Sequence, residues 1–302
     1  MSTPEIFKNL KLPVVAAPMF LVSGDRLVIE TCKAGVVGTF PALNQRTTEG
    51  FRDWVRKIKS ELDPTSAPFG VNLIVHKSNP RLEADLNVCI EEKVPLIITS
   101  LGAVTELVER VHAYGGLVFH DVTTLRHAQK AANAGVDGLI LVAAGAGGHA
   151  GVINPFALVG QVRKFFHKTI LLAGAIGRGD DILAAQAMGA DLAYLGTRFI
   201  ATEESNAQAE YKQMILDADA SDIVYTPAVS GVPGSFMRQS LEKAGINTDK
   251  KIEMNLVDEA KAWKNVWSAG HGVSNIHEIV PVSTLIDQLE SEYKSARQRL
   301  KL

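Results

Sequence analysis

The 302-residue chain has few cysteines, no excess of charge of one sign and no apolar run long enough to cross a membrane. Cys32 and Cys89 are too few for a disulfide framework and lack the spacing of a metal site, so we expect a reducing compartment and no bound metal. A formal net charge of -2 argues against a nucleic-acid partner. The first residues lack the apolar core of a signal peptide, so we expect a cytoplasmic protein that does not contact membranes.

Eight short apolar runs alternate with segments of helical period along most of the chain. The runs cover residues 14–17, 36–40, 70–75, 96–99, 117–119, 139–142, 170–173 and 192–195. Several helical segments end in a glycine, as at Gly35, Gly135 and Gly189, and a short turn then starts the next run. Apolar strands that alternate with amphipathic helices predict a parallel sheet covered by helices. Eight units favour an α/β fold of the closed (β/α)8 TIM-barrel type over the alternative, an open doubly wound sheet.

The pattern changes between residues 219 and 272. The elements predicted there are a loop and two helical patches, at residues 226–235, 236–244 and 257–267. We therefore expect a barrel formed by residues 1–218 and 273–302, with 219–272 as a small, mainly helical inserted lobe that covers the active site. The segment 282–300 has helical period and is expected to pack back on the barrel as its closing helix.

A glycine-rich loop, residues 143–151, follows the sixth run and holds one imidazole, that of His149. Gly147, Gly148 and Gly151 leave this ring few side-chain neighbours and let the backbone approach a ligand closely. A histidine can act as a base near neutral pH, because its unperturbed pKa lies there. The alternative interpretation is a flexible turn with an exposed histidine.

The last two apolar runs continue into Gly174-Ala175 and Gly196-Thr197. In TIM barrels the loops after strands seven and eight often bind a phosphate through backbone N–H groups, and Thr197 adds a hydroxyl. The sequence therefore predicts a phosphate-bearing ligand. Two ordinary turns are the alternative.

Other side chains at strand ends are expected to line the same mouth of the barrel: Met19, Asn72, Ser100, His120 and Asp121. Asn72 interrupts an apolar strand, and a buried amide needs hydrogen-bond partners. A flat heterocycle with donors and acceptors would supply them, and neighbouring backbone is the alternative. His120 and Asp121 are adjacent, so on a strand they point to opposite faces and at most one of them faces inward.

Together these segments resemble the nitronate monooxygenase family, the 2-nitropropane dioxygenase-like flavoproteins. The matching segments are Ala17-Pro18-Met19, Phe69-Gly70-Val71-Asn72, Gly147-Gly148-His149-Ala150-Gly151, Gly174-Ala175-Ile176, Gly189-Ala190-Asp191, Gly196-Thr197-Arg198-Phe199 and Val266-Trp267-Ser268-Ala269-Gly270. They are spread over nearly the whole chain. The resemblance implies a barrel that binds FMN noncovalently, with a smaller lobe over it.

The resemblance also implies roles for individual residues, with His149 as the catalytic histidine. The implied cofactor contacts are Ala17, Pro18 and Met19 against the flavin ring, Asn72 at the ring or ribityl chain with His120 and Asp121 nearby, Gly147 and Gly148 along the flavin, and Gly174, Ala175, Gly196 and Thr197 at the phosphate. Three positions depart from the family. Gly145 stands where many members have glutamate, Ala175 where many have glycine, and Asp121 where some have a lysine that contacts the flavin.

The expected activity is FMN-dependent oxidation of alkyl nitronates, and of nitroalkanes deprotonated by His149, with oxygen to a carbonyl compound and nitrite. The Gly-Gly-His loop is also shared by flavin-type enoyl-acyl carrier protein reductases and NADH:quinone reductases. An NAD(P)H-dependent flavin reductase that acts on a quinone or an enoyl thioester is therefore the first alternative, and a flavin-free phosphate-binding barrel is the second. The expected partners are a small-molecule substrate and oxygen, and a homodimer is compatible with all three. The physiological substrate stays open.

Overall fold

Eight parallel strands close into a barrel, which confirms the predicted (β/α)8 TIM barrel and excludes the doubly wound sheet. The computed structural model describes residues 4–102, 104–229, 231–248 and 265–301. In chain order the strands up to the end of the barrel are β1 (Val14–Ala16), β2 (Val37–Pro41), β3 (Phe69–Ile74), β4 (Leu96–Ser100), β5 (Leu117–Val122), β6 (Gly138–Val142), β7 (Gly148–His149), β8 (Thr169–Ala173) and β9 (Leu192–Leu195). Of these, β7 lies outside the barrel, and β1 closes the ring by pairing with both β2 and β9.

Helices lie between these strands and after β9, as the alternating pattern predicts. They are α1 (Asp25–Lys33), α2 (Thr48–Glu61), α3 (Leu82–Glu91), α4 (Thr105–His112), α5 (Leu125–Asn133), α6 (Pro155–Arg163), α7 (Gly179–Met188), α8 (Thr197–Ile200), α9 (Ala209–Asp217), α10 (Arg238–Lys243) and α11 (Val282–Leu300). Local chemistry sets several ends: the side chains of Thr47 and Thr124 accept hydrogen bonds from the first turns of α2 and α5, and Gly189 ends α7 in a left-handed conformation. Within the described residues, every helix is too short or too polar to cross a membrane.

Two apolar layers determine which strand residues face the barrel interior. Ile98, Phe119, Ile140 and Leu171 contact one another from four different strands, so they fill the inside of the barrel. The neighbouring strand residues, such as Val118, pack in a second cluster together with side chains of the helices. Since side chains alternate along a strand, every second residue from Phe119 onward faces inward on β5.

The last helix packs against the barrel as predicted. α11 lies on α7, where the N–H of Gly179 donates to Glu292 Oε2 at 2.7 Å and the hydroxyl of Tyr293 donates to Gln186 Oε1 at 2.6 Å. Leu285, together with apolar residues of β1 and β9, lies in one buried cluster. The closing helix thus covers the seam where the first and last strands of the barrel meet.

The described part of the inserted lobe differs from the mainly helical prediction. β10 (Ile223–Thr226) and β11 (Gly234–Met237) pair antiparallel, and β11 also pairs with β7 of the glycine-rich loop, which gives a three-stranded sheet. Only α10 represents the predicted patch at 236–244. Much of the patch predicted at 257–267 lies outside the described residues. The limits 219–272 of the lobe stay a prediction. The reason for the difference is that strands of four residues are too short to show a periodic signal and form through pairing with residues distant in sequence.

Candidate active site

A cavity of about 930 Å³ opens at the carboxyl ends of the barrel strands. All the residues predicted for the site line it: Ala17, Pro18, Met19, Asn72, His120, Asp121, Gly147, Gly148, His149, Gly174, Ala175, Gly196 and Thr197. This volume is near the upper end of the range for ligand sites, about 300–1,000 Å³. The structure therefore brings the predicted residues together around one space, while their individual roles stay predictions.

His149 is held at the wall of this cavity by backbone pairing rather than by its own loop. It belongs to β7, and its register partner on β11 is Gly234. The hydroxyl of Tyr225, on β10, donates to the carbonyl oxygen of Ala150 at 2.9 Å and ties the same loop to the lobe. The glycine-rich loop is thus anchored to the strands of the lobe.

Burial lowers the pKa of His149 from its ordinary value of 6.5 to about 4. The sequence-based expectation used the unperturbed value, because sequence alone does not report how much water surrounds the ring. The consequence is a neutral imidazole across the physiological range, able to accept a proton but with a low affinity for it.

The glycines around His149 are required by close approach of another segment. A Cβ atom at Gly147 would lie 2.8 Å from the carbonyl carbon of Ala269 and from the nitrogen of Gly270. Gly148 has a φ of 67°, in the left-handed region that favours glycine. The loop that carries the imidazole therefore packs backbone to backbone against residues 269–270.

The floor of the cavity carries a chain of three polar side chains. Asn72 Nδ2 donates to Ser100 Oγ at 2.7 Å and to the carbonyl oxygen of Ile98 at 3.2 Å, and the hydroxyl of Ser100 donates to Asp121 Oδ2. Both acceptors of Asn72 face its amide nitrogen, and its amide oxygen has no donor among the residues that the structure describes. Burial raises the pKa of Asp121 to about 6. Of the adjacent pair at 120 and 121, Asp121 is the one that faces inward.

His120 lies on the outer face of β5, away from the barrel floor. It is 6% exposed, and its Nδ1 lies 2.7 Å from Thr99 Oγ1. Burial lowers its pKa to about 4, and the nearby charges of His127 and Lys130 act in the same direction. His120 therefore lines the cavity from the outer face of β5 and not from the barrel interior.

The free energy of unfolding is expected to decrease as the pH falls from 7 to 5, partly because of His120. The unfolded chain binds a proton at the ordinary histidine pKa of 6.5 and the folded chain only at about 4, so protons favour the unfolded state in this interval. The contribution is roughly 2 kcal/mol between these pH values. Urea midpoints of His120→Gln should therefore change less with pH than those of the unmodified chain. The exposed His167→Gln serves as the control, and an equal pH dependence in all three proteins would contradict the prediction.

The predicted phosphate end consists of two loops with different properties. Gly174 and Ala175 both have positive φ values, 133° and 56°, and the N–H of Ala175 already donates to Gly145 O at 3.2 Å. The N–H groups of Ile176 and Thr197 have no partner among the described residues. Thr197 Oγ1 accepts from the N–H of Gly270 at 2.9 Å, so its hydroxyl proton is available to a ligand. The N–H of Ala175 is thus occupied by protein, and the phosphate contacts of these residues stay predictions.

Several residues of the cavity were not predicted from the sequence. Tyr194 faces inward from β9, and burial raises its pKa well above the ordinary value. The alternation of side chains along the run 192–195 could have predicted that Tyr194 faces inward together with Leu192. Tyr211 and Trp267 stack with ring centroids 5.0 Å apart. Trp267 lies in a segment that matches the family, but the stacked pair could not be predicted, because the two residues are 56 positions apart and meet only in the folded chain. No group of three or more metal-binding side chains was found among the described residues.

The chain is similar in sequence to a known family and to individual characterised proteins. The profile of the family described as nitronate monooxygenase matches residues 81–292. A nitronate monooxygenase of Paraburkholderia phytofirmans is 26% identical over 96% of this chain and 94% of its own length. A (3aS,4S,5R,7aS)-5-hydroxy-7a-methyl-1-oxo-octahydro-1H-indene-4-carboxyl-CoA dehydrogenase of Rhodococcus jostii is 31% identical over 77% of this chain. That match spans only 65% of the dehydrogenase.

Two solved structures share the fold over nearly the full chain. Nitroalkane oxidase from Streptomyces ansochromogenes superposes with a TM-score of 0.87 at 25% identity and covers 98% of this chain and 99% of its own. FabK from Thermotoga maritima superposes with a TM-score of 0.83 at 25% identity and covers 100% of this chain and 99% of its own. The fold is thus shared with enzymes that carry different names. The function of this chain must therefore be argued from the residues that line its cavity.

Proposed function

The chain belongs to the nitronate monooxygenase family, and on that premise we propose that it oxidises alkyl nitronates with oxygen, using FMN and His149. The observation that supports this proposal most is the position of a half-buried imidazole with a lowered pKa at the wall of a cavity whose floor carries polar side chains. The location in the cytoplasm and a homodimer remain predictions.

The residues present fit a flavin mononucleotide. The amide oxygen of Asn72 has no donor among the described residues, which suits an N–H or O–H of the cofactor. At the other end, the N–H groups of Ile176 and Thr197, which have no acceptor within the described part of the chain, suit its phosphate. Gly196 leaves space against Ala17, since a Cβ atom there would meet nothing closer than 3.7 Å. When bound, FMN supplies the redox chemistry that side chains cannot provide.

In the proposed reaction the nitronate carbon is oxidised and oxygen is reduced. The C–N bond breaks, a C=O bond forms at the carbon, and nitrite leaves. In the overall balance, two nitronate ions and one O₂ give two carbonyl compounds and two nitrite ions. A neutral nitroalkane must first lose a proton from the same carbon, and the unprotonated nitrogen of His149 accepts it. The nitronate anion that forms beside the imidazolium stabilises it, which offsets the low proton affinity of this partly desolvated ring.

An NAD(P)H-dependent flavin reductase is the second candidate. It is supported by the similarity to FabK and to a carboxyl-CoA dehydrogenase, whose name indicates a thioester substrate. In this case the cavity would hold the nicotinamide and then the acceptor next to the flavin, and His149 would not need to remove a proton from carbon.

Anaerobic absorbance spectra of the purified protein distinguish the candidates. We expect flavin bands that change on addition of an alkyl nitronate and change little with NADH or NADPH. Fast bleaching by a nucleotide, without a response to nitronate, would replace the proposal with the reductase. A protein without flavin bands, even after incubation with FMN, would contradict both and leave the flavin-free barrel.

A further inference from the structure

The turn that follows β1 forms one apolar wall of the cavity. Four consecutive residues of this turn line the cavity: Met19, Phe20, Leu21 and Val22. The N–H groups of Val22 and Ser23 both donate to the carbonyl oxygen of Met19, at 3.2 and 3.0 Å. Ser23 Oγ accepts from the N–H of Met19 at 2.9 Å. The chain therefore reverses within residues 19–23, with its apolar residues at the cavity.

Leu21 lies in this turn in a strained conformation. Its φ is 61°, in the left-handed region, where the Cβ atom of an L residue comes too close to the backbone. Its side chain is 37% exposed, so its own burial contributes little to keeping it there. Strain of this kind persists only where the surrounding structure imposes the conformation, and it is concentrated at functional sites. The restraint on Leu21 has to come from outside the turn.

The side chain of Asn44 supplies this restraint. Asn44 ends a short 3-10 helix, Ala42–Asn44, that directly follows β2. Its Oδ1 accepts from the N–H of Leu21 at 2.9 Å, and its Nδ2 donates to the carbonyl oxygens of Met19 at 3.1 Å and Ser23 at 2.8 Å. Both N–H bonds and the carbonyl oxygen of the amide are thus used. One side chain binds the beginning, the middle and the end of the turn.

Asn44 acts on the cavity through the turn that it holds. Asn44 is not itself among the described residues that line the cavity, whereas the apolar residues of the turn are. Met19 also approaches the loop after β9, since its Sδ would lie 3.7 Å from a Cβ atom at Gly196. Without the restraint, Leu21 would leave the left-handed region and the peptide groups on both sides of it would rotate. The apolar wall would then move relative to the rest of the cavity.

We propose that Asn44 is a positioning residue, which holds the turn 19–23 and so fixes the apolar wall that the substrate contacts. This inference rests on the proposed function for the identity of the substrate. It assigns Asn44 an effect on substrate binding and not on proton transfer, because His149 is held by another segment through its pairing with Gly234. The sequence carried no signal for Asn44, since its three partners lie 21–25 residues away.

The test measures KM and kcat of the flavin-loaded protein with the nitronate of 1-nitropropane. Asn44→Ala removes the whole clamp, and Asn44→Asp keeps the acceptor for Leu21 but at pH 8 places a negative oxygen against two carbonyl oxygens. We expect KM to rise about tenfold in both variants, the loss of contact with roughly two CH₂ groups, and kcat to stay within about twofold.

The pH dependence of KM gives a second readout. A carboxyl group that faces two carbonyl oxygens binds a proton more readily than one in water, and once protonated it can donate again. From pH 8 to pH 5.5 the KM of Asn44→Asp should therefore fall towards that of the unmodified protein, while the KM of Asn44→Ala stays high. An equal pH dependence in the two variants would overturn the role of the amide donors.

The control is Asn133→Asp, the same change at an exposed position outside the cavity, which should leave KM unchanged. If both Asn44 variants leave KM unchanged, or lower kcat by the factor by which they raise KM, the positioning role is refuted and the proposed function is kept. If the unmodified protein oxidises no nitronate, the proposed function fails. Hydrogen exchange of the Leu21 N–H then decides the inference. Protection that Asn44→Ala removes would support the held turn, and equal protection in both proteins would refute it.

Discussion

Replacement of His149 by alanine is expected to lower kcat/KM for a neutral nitroalkane by about a thousandfold, the usual contribution of a general base. The effect on the preformed nitronate should be much smaller, because that substrate has already lost its proton. Initial rates of nitrite formation with each form of the same compound measure both effects. His277→Ala, an exposed residue outside the cavity, is the control.

The pH profile gives the same prediction a second readout. Burial lowers the pKa of His149 to about 4, so its base form persists to lower pH than that of an ordinary histidine. The kcat/KM for the nitroalkane should therefore stay level from pH 8 to pH 5 and decrease as the pH falls through about 4. Retention of flavin by the alanine variant would exclude simple loss of the site. An equal loss of rate on both substrate forms would remove proton abstraction from the proposed function.

Replacement of Gly270 by alanine is expected to destabilise the fold by about 3 kcal/mol, the upper end of the usual cost of overpacking. Its φ of -97° is open to any residue, so the cost is steric. A Cβ atom there would lie 2.4 Å from Gly145 O and 2.8 Å from the nitrogen of Gly147, and both contacts are with backbone. The N–H of Gly270 also donates to Thr197 Oγ1 at 2.9 Å, so the shift would reach the predicted phosphate end.

Gly160→Ala is the matched control, since a Cβ atom at Gly160 meets nothing within 4 Å. It lies inside α6, where alanine should stabilise the chain by about 0.5–1 kcal/mol. Urea unfolding of both variants, with flavin fluorescence as a second signal, measures the difference. If the two substitutions shift the unfolding midpoint in the same direction, then the close approach of residues 145–147 to residue 270 does not contribute to stability.

The barrel could be predicted from the sequence because its signals are local. An apolar run that stops at glycine or a polar residue, as at Gly174 and Gly196, indicates a strand end wherever the strand finally lies. The repeated helix stops at Gly135 and Gly189 work in the same way, through the left-handed conformation that glycine adopts there. Eight repetitions of such a unit leave few folds other than a barrel.

The candidate site could be predicted only as a set of residues. Strand ends of a parallel barrel meet at one face, which is why Asn72, Asp121 and His149 were expected together and do line one cavity. The direction of a particular side chain was not available. Whether His120 or Asp121 faces inward depends on which residues of β5 contact Ile98 and Ile140 from the neighbouring strands.

The sequence by itself determined the succession of strands and helices, the glycine-rich loops and the kinds of side chain available at the strand ends. Only the tertiary structure decided the pairing of His149 with Gly234, the pKa of the imidazole and the position of His120 at the cavity. The physical reason is that helix stops and apolar periods arise between residues close in sequence. Desolvation and strand pairing depend on residues far apart in the chain, whose approach is set by the whole packed fold.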